Sequence, residues 1–471
     1  MIWVIIIIAL VLRLICLNQS LWLDEAINVL SAKNLDLISF VIKYPIGDYH
    51  PPGYFALLWI WTHIFGFSEI IVRLPSVLFG IGTVILTYLL GKNLFNKKTG
   101  IFAGLLLAVS PISVYYSQEA RMYSFATFAV LLFSYFFIQL LNGKKWSYLG
   151  YILGGILVLY SDYVAYLIFP VHFLFLLITK RSLLIKWLSA VAISLLIFLP
   201  WINILIAQIS EGMKAKALLP GWSRVAGGAD VKNIALVPIK FIFGRISFDN
   251  KILYGLLSTL FIFMYGFIIL QTFKKWNKNI LFLCTWILLP FFLVIFISFF
   301  IPFLSYFRLI FILPPLFILV GRGLDIIPNK ISKILLAILV LTSLTFLLIY
   351  YLNPKFQRED WRGATLFLDN IKDNNSIILF EDNHIEFPFI YYKKDLSNSF
   401  AGLKNIEAKN LNDVNDIENL LANIKEIYIF EYLVEITDPK RLLEEKVKLL
   451  GFKKVNVYNF NGVGLLLFYQ K

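Results

Sequence analysis

The feature that most constrains this chain is a succession of long apolar runs, near residues 1–17, 70–91, 100–117, 122–141, 147–161, 163–179, 188–208, 252–273, 279–301, 303–321 and 333–352. A helix that crosses a bilayer needs about 20 predominantly apolar residues, because hydrocarbon offers no partner to an exposed backbone amide. The runs therefore predict an α-helical polytopic membrane protein with about eleven spans. Around Ser161 and Asp162 each arm is short, and a tilted hairpin or a re-entrant one fits. The first run has no basic start, is interrupted by Arg13 and is followed by no small-residue cleavage site, so it reads as a span and not a signal peptide.

Composition agrees: 59% of the 471 residues are hydrophobic and 15% charged, against roughly 25% charged in soluble proteins. An ordinary cytoplasmic globule and a disordered tail protein are excluded. The net charge of +14 is unevenly spread, with +16 up to Leu352 and −2 beyond it. Alternate loops (92–99, 142–146, 180–187, 274–278 and 322–333) hold fourteen Lys or Arg against the single acid Asp325. The positive-inside rule puts those loops, and the N-terminus, at the cytoplasmic face. The other loops and everything after Leu352 are expected outside. Cys16 and Cys284 both lie in apolar runs, which leaves no disulfide scaffold or metal spacing.

Two outer connections are long. In residues 18–69, the stretches 24–33 and 53–66 read as helices lying along the membrane surface. The segment 209–250 carries Lys214, Lys216, Arg224, Lys232, Lys240 and Arg245, and its stretch 233–248 reads as interfacial too. From Asn353 to Lys471 the composition becomes that of a small extracytoplasmic α/β domain. Helical patterns fall at 361–371, 413–424 and 438–450, β-rich runs at 376–380 and 426–430, and a hairpin at 453–469.

Ionisable groups are costly at the bilayer centre, and here they gather at span ends, which points to chemistry at the interface. Four strings stand out. In Ser20-Leu21-Trp22-Leu23-Asp24-Glu25-Ala26, Asp24 either caps the following helix with Glu25 on its dipole, or serves as a general base at headgroup level. In Tyr49-His50-Pro51-Pro52-Gly53, His50 is either a satisfied loop histidine or part of a site that the prolines stiffen. In the turn Tyr115 to Tyr123, Glu119 either pairs with Arg121 or Arg73, or orients an acceptor while Arg121 answers a phosphate. Arg308, in Tyr306-Phe307-Arg308, either snorkels or stabilises a phosphate leaving group.

Together, the order W-x-D-E, H-P-P and S-Q-E-A-R-M-Y resembles the family 39 glycosyltransferases of the GT-C superfamily, over roughly residues 1–135. That family includes dolichyl-phosphate-mannose protein mannosyltransferases and lipid A aminoarabinose transferases. The resemblance implies a polyprenyl-phosphate-linked sugar donor, an extracytoplasmic active site and inversion at the anomeric carbon. It implies Asp24 as the catalytic Asp with Glu25 its partner, and Glu119, Arg121 and Tyr123 as the second outer motif, with His50 before the prolines. The family's later cation near an R-Y pair is matched by Tyr306 and Arg308 in reverse order.

The residue chemistry fits the same reaction. A phosphate-linked sugar departs as a stable anion, so one base and a set of cations suffice, where a glycosidase needs two carboxyl groups. Asp24 is the base on offer, with Arg121, Arg308 and Lys43 as clamps. Asp24, Glu25 and Glu119 could supply oxygen ligands to a divalent cation, but nothing in the pattern requires one, and none is expected. The expected partners are the lipid-linked donor, membrane lipid and a glycan, lipid or protein acceptor, and no nucleic acid. The rival reading is a polytopic lipid or solute transporter or flippase, which would be expected to show internal repeats and interrupted midplane helices.

Overall fold

The computed structural model describes residues 1–218, 227–372, 375–382, 385–393, 398–405 and 407–471, with side chains undescribed at 215–218. Arg224 and the Lys216 side chain therefore lie outside the described residues. Contacts divide the chain into two units: Met1–Leu17, Asp36–Glu211 and Ala226–Leu352 in the first, and Asn18–Leu35, Gly212–Val225 and Asn353–Lys471 in the second.

The first unit is helical and multi-pass. Among the described residues, six helices are long and apolar enough to cross a membrane: Glu69–Leu94, Tyr123–Leu141, Arg181–Lys214, Lys251–Phe273, Lys278–Ser298 and Asn329–Leu352. A seventh arises if Lys97–Val109 and Pro111–Ser117, bent by 61°, count as one. Shorter apolar helices run Ile2–Leu14, Gly53–Phe65, Ser147–Leu159 and Val164–Thr179. The expected runs are thus present, but several are broken where a proline opens a new helix. Pro111 does so in the expected 100–117 span. In the expected 303–321 span, helix Leu313–Ile326 starts at Pro314 and Pro315, which suit a first turn. That leaves Tyr306, Phe307 and Arg308 in turns before it. Of the stretches expected as surface helices, 53–66 is helical over Gly53–Phe65 and 233–248 over Val231–Phe243.

Close backbone approach holds this bundle together. A Cβ on Gly100 would sit 2.5 Å from the Tyr88 carbonyl oxygen, so helices Glu69–Leu94 and Lys97–Val109 meet only over a glycine. Gly80 does the same beside a polar knot, where a Cβ would lie 2.2 Å from Ser117 Oγ. At that knot Arg13, fully buried, donates to Ser117 Oγ (3.1 Å), Ser113 Oγ (2.9 Å), Ala9 O (3.1 Å) and Ala108 O (3.2 Å). The residue that interrupts the first apolar run therefore fastens helix Ile2–Leu14 to helix Pro111–Ser117.

The second unit is an α/β domain on a five-stranded sheet ordered β2-β1-β3-β5-β4, with β1 Ser376–Phe380, β2 Ser399–Ala401, β3 Glu426–Phe430, β4 Lys453–Phe460 and β5 Gly464–Gln470. β2, β1 and β3 are parallel; β5 runs antiparallel to β3 and pairs with β4 as the expected hairpin. The continuous apolar runs of β1 and β3 follow from burial on both faces. Ile377, Leu379, Ile427 and Ile429 face Leu443 and Val447, while Ile378, Phe380, Tyr428 and Phe430 face Trp361 and Leu368. Helix Trp361–Ile371 matches its pattern. The expected helix 413–424 shrinks to Glu418–Leu421, because Asp413 and Asn415 spend their side chains on backbone groups of Lys409, Asn410, Ala401 and Leu403. Likewise 438–450 is helical mainly over Leu442–Leu449, where Asp438 Oδ2 accepts the Leu443 N–H.

Candidate active site

In the first unit the second and third strings come together. Residues 45–48 form one helical turn, and Tyr49 takes a left-handed backbone (φ 63°), which sets Asp48 and His50 beside each other. Asp48 Oδ1 lies 2.5 Å from His50 Nδ1, and its Oδ2 accepts Arg121 Nη1 at 2.7 Å, with Nη2 at 3.4 Å from Oδ1. Burial opposes ionisation of Asp48, but Arg121 and then His50 outweigh it and hold the carboxyl well below the usual carboxylate range. The loop is braced from behind. Buried Gln208 donates to Pro45 O (2.6 Å) and His50 O (3.0 Å), and the Gly53 N–H to Tyr160 O (2.9 Å).

The Tyr115 to Tyr123 turn is fixed just as firmly. Gln118 Nε2 donates to Arg13 O (3.0 Å) and Ile15 O (2.6 Å), and its Oε1 accepts Tyr350 Oη (3.0 Å). Glu119, Arg121 and Tyr123 are all buried. Arg245 Nη1 donates to Tyr115 Oη (3.0 Å), and its guanidinium lies 5.0 Å from that ring's centre. Tyr115 above all, against burial, and then Tyr306, Tyr116 and Glu119 act electrostatically to hold the Arg245 cation. Lys240 Nζ pins the Arg245 backbone, donating to Arg245 O (3.1 Å), Ile246 O (3.0 Å) and Ser247 Oγ (2.8 Å).

The fourth string joins them. Phe307 packs on Tyr123 (5.3 Å between ring centres) and Tyr116 (6.0 Å), and Tyr123, Thr127, Asp162, Phe307 and Arg308 line a small cavity. Arg308 Nη1 donates to Phe303 O at 3.2 Å. Of the expected first-unit residues, His50, Arg121, Glu119, Tyr123, Tyr306 and Arg308 thus belong to one connected set. Lys43 ends the Ser39–Lys43 turn, exposed, and makes no ion pair among the described residues.

The first string belongs to the second unit. Helix Leu23–Asn34 begins after Trp22, with Asp24 and Glu25 in its first turn; Asp24 is half-buried and Glu25 fully buried. The string is tied to the segment 358–362: Gln19 Oε1 accepts Arg358 N (2.8 Å), Ser20 Oγ accepts Arg362 N (3.1 Å) and Asn18 O accepts Arg362 Nη2 (2.7 Å). Asp24 does not cap its own helix by a side-chain bond at the N-cap position, which Trp22 occupies.

Sequence reasoning missed Asp48 and Arg245 as members of the set. The D-Y-H spacing was a visible signal for Asp48; Arg245 was one cation among six in its segment. Among the described residues no group of three or more His, Cys, Asp or Glu is placed to hold a metal ion.

Comparison with known proteins bears on this arrangement. Residues 49–204 match the sequence model of a family described as dolichyl-phosphate-mannose-protein mannosyltransferase. A curated relative, YkcB of Bacillus subtilis (strain 168), carries a provisional mannosyltransferase name and is 27% identical over 198 residues, 39% of this chain and 28% of that protein. The chain thus spans under a third of the length of the curated relatives it matches. Among solved structures, ArnT from Cupriavidus metallidurans bound to undecaprenyl phosphate is similar over 99% of this chain and 97% of its own, with a TM-score of 0.60 at 13% identity. The archaeal oligosaccharyltransferase AglB from Archaeoglobus fulgidus, in complex with an inhibitory peptide and a dolichol-phosphate, gives 0.53 at 12% identity, covering 99% and 74%. The chain therefore has the fold of the GT-C glycosyltransferases, as the W-x-D-E, H-P-P and S-Q-E-A-R-M-Y order led one to expect.

Proposed function

We propose that this protein is an inverting glycosyltransferase that moves a sugar from a polyprenyl-phosphate carrier to a hydroxyl-bearing lipid, glycan or protein acceptor at the outer face of the cytoplasmic membrane. The observation that carries the reading is the convergence of His50, Glu119, Arg121, Tyr123, Tyr306 and Arg308, with Asp48 and Arg245, into one connected set within a GT-C fold. That ArnT holds undecaprenyl phosphate and AglB a dolichol-phosphate supports a lipid-phosphate donor here. The fourteen cations of the alternate loops support the orientation.

In this reading Asp24 takes the proton from the acceptor hydroxyl as its oxygen bonds the anomeric carbon. The bond from that carbon to the phosphate oxygen breaks on the opposite side, and polyprenyl phosphate leaves as an anion. One displacement inverts the centre. Arg245 and Arg308 supply positive charge for the departing phosphate, with Lys43 a further cation. Arg121 is engaged with Asp48, so it acts on the phosphate by exchanging that partner. Glu25 and Glu119 hold their neighbours in place, and Tyr123 and His50 contact the donor.

Purified protein in nanodiscs, incubated with undecaprenyl-phosphate-mannose and with dolichyl-phosphate-mannose plus membrane extract, is expected to yield a glycosylated product by mass spectrometry. Asp24→Asn is expected to abolish it. Full transfer by that variant refutes the base assignment, and substrate movement without a new glycosidic bond favours the transporter.

A further inference from the structure

Asp162 lies between helix Ser147–Leu159 and the short turn Val164–Leu167, and it is buried. Its backbone is firmly held. Ser161 Oγ donates to Val158 O (2.9 Å), Tyr166 Oη to Leu159 O (2.6 Å), and Asp162 O accepts the Ala165 N–H (3.1 Å). Two residues earlier, Tyr160 O takes the Gly53 N–H, which ties this turn to the His50-Pro51-Pro52-Gly53 loop. The carboxyl itself has little to hold. Its Oδ1 accepts the Val164 N–H at 3.0 Å, and among the described residues no other hydrogen bond and no ion pair reaches it. A carboxylate can accept about four hydrogen bonds, and buried polar groups are rarely left so short of them.

Asp162 lines the small cavity together with Tyr123 and Thr127 of helix Tyr123–Leu141 and with Phe307 and Arg308 of the turns before helix Leu313–Ile326. The cavity has room for about one water-sized group. Thr127 Oγ1 donates to Tyr123 O at 2.8 Å, which spends its proton within its own helix. The charged groups of the lining are thus Asp162 and Arg308. Arg308 is steadied by the Phe303 carbonyl and by the rings of Phe303 and Phe307, 5.3 and 5.7 Å from its guanidinium. An anion entering here meets the Asp162 carboxylate, an ammonium meets the Arg308 cation, and an apolar group satisfies neither. A hydroxyl, which donates and accepts at one atom, suits both.

We propose that this cavity is a subsite for one hydroxyl of the donor sugar, with Asp162 accepting its O–H and Arg308 donating to its oxygen. The inference deepens the glycosyltransferase reading and rests on it. The donor is the source, because Arg308 is also the cation assigned to the donor's phosphate, and the sugar is the part of the donor bonded to that phosphate. Asp162 then selects among lipid-linked sugars. A site built to hydrogen-bond a hydroxyl rejects the sugar that lacks it far better than an apolar pocket sorts ligands by size.

The test uses the full-length protein in nanodiscs and reads binding from the upward shift of a thermal melt, which needs no turnover. The probes are undecaprenyl phosphate, undecaprenyl-phosphate-mannose and the 2-, 3-, 4- and 6-deoxy forms of the latter. Wild type should bind the mannosyl lipid more tightly than the bare lipid phosphate and lose roughly tenfold in affinity with one deoxy form. Asp162→Asn keeps an oxygen for the Val164 N–H. It should lose about the same factor with the mannosyl lipid, lose nothing further with that deoxy form, and bind bare undecaprenyl phosphate like wild type. Without ligand it should melt no lower than wild type, as expected of a charge kept for a ligand and not for the fold. In transfer, its donor KM should rise with the acceptor KM unchanged.

Equal affinity of wild type and Asp162→Asn for the mannosyl lipid overturns the subsite and leaves the cavity to a bound water. A markedly lower melt of the unliganded variant makes Asp162 structural, and a raised acceptor KM alone moves the hydroxyl to the acceptor. If Asp162→Asn does not fold, the wild-type deoxy series decides, and equal binding of all four forms overturns the subsite. Should mannose add nothing to the binding of bare lipid phosphate, the subsite falls for that sugar while the lipid-phosphate donor stands. Should neither lipid shift the wild-type melt, the donor reading falls, and the subsite with it.

Discussion

Asp48 and Glu359 are both carboxyls held away from water outside the spanning helices, yet their environments drive them in opposite directions. Asp48 faces Arg121 and His50, and it stays ionised far into acid. Glu359 accepts from two neutral donors, Trp361 and Tyr432, and burial above all pushes its carboxyl up to about 7. The difference separates a strut from a tuned group. A carboxylate matched by a buried guanidinium holds a loop, whereas one short of positive charge can change state where enzymes work.

The comparison can be broken most decisively at Asp24. Asp24→Asn should lower sugar transfer by about 10²- to 10⁴-fold while leaving thermal unfolding of the protein unchanged. A comparable loss of stability would make Asp24 structural instead. Asp48→Asn should do the reverse. It leaves Arg121 with its partner's charge removed, which costs about 3 kcal/mol of stability, read as a lowered midpoint in a thermal melt of the membrane unit. An unaltered melt removes the strut role.

Acidity offers a subtler contrast. Because the folded Asp48 binds its proton less readily than an unfolded aspartate, its stabilisation is full above about pH 4 and is lost as pH falls below that. Glu359 has the opposite sign. Its raised value favours the folded state below about pH 4.5, and that contribution, about 1–3 kcal/mol, is lost as pH rises through 7. Denaturation of wild type and Glu359→Gln across pH 5 to 8 should give a slope in the first and a flatter line in the second. The smallest effect is expected at Arg245, where Arg245→Ala should raise the donor KM about tenfold and Arg245→Lys by less. Equal kcat and KM effects in both variants would argue against phosphate contact.

Much of this protein was legible in its sequence, and unevenly so. The apolar runs, the helices beginning at Leu23 and Gly53, the strands Ser376–Phe380 and Glu426–Phe430 and the Lys453–Gln470 hairpin all follow from local periodicity. Breaks within spans were less visible, since Pro111 and Pro314 open new helices inside a run without changing the hydropathy around them. The short helix at Glu418–Leu421 shows the same limit in the C-terminal unit, where Asp413 and Asn415 bond to backbone groups and forestall the longer helix. At the candidate site, His50, Glu119 and Arg121 were readable from compact strings. Asp48 and Arg245 were not, because each gains its role from residues 73 and 130 positions away.

The sequence by itself determined that the chain is multi-pass and that its C-terminal quarter is an α/β unit, and it singled out the short strings that three of the site's members come from. Those outcomes rest on local hydrophobicity and on neighbouring residues. Tertiary structure alone decided that Arg13 fastens two helices, that Arg121 is matched by Asp48, and that residues 18–35 belong to the same unit as the C-terminal sheet. The physical reason is common to all three. A charge removed from water must find a partner in space, and the chain's order does not say which one.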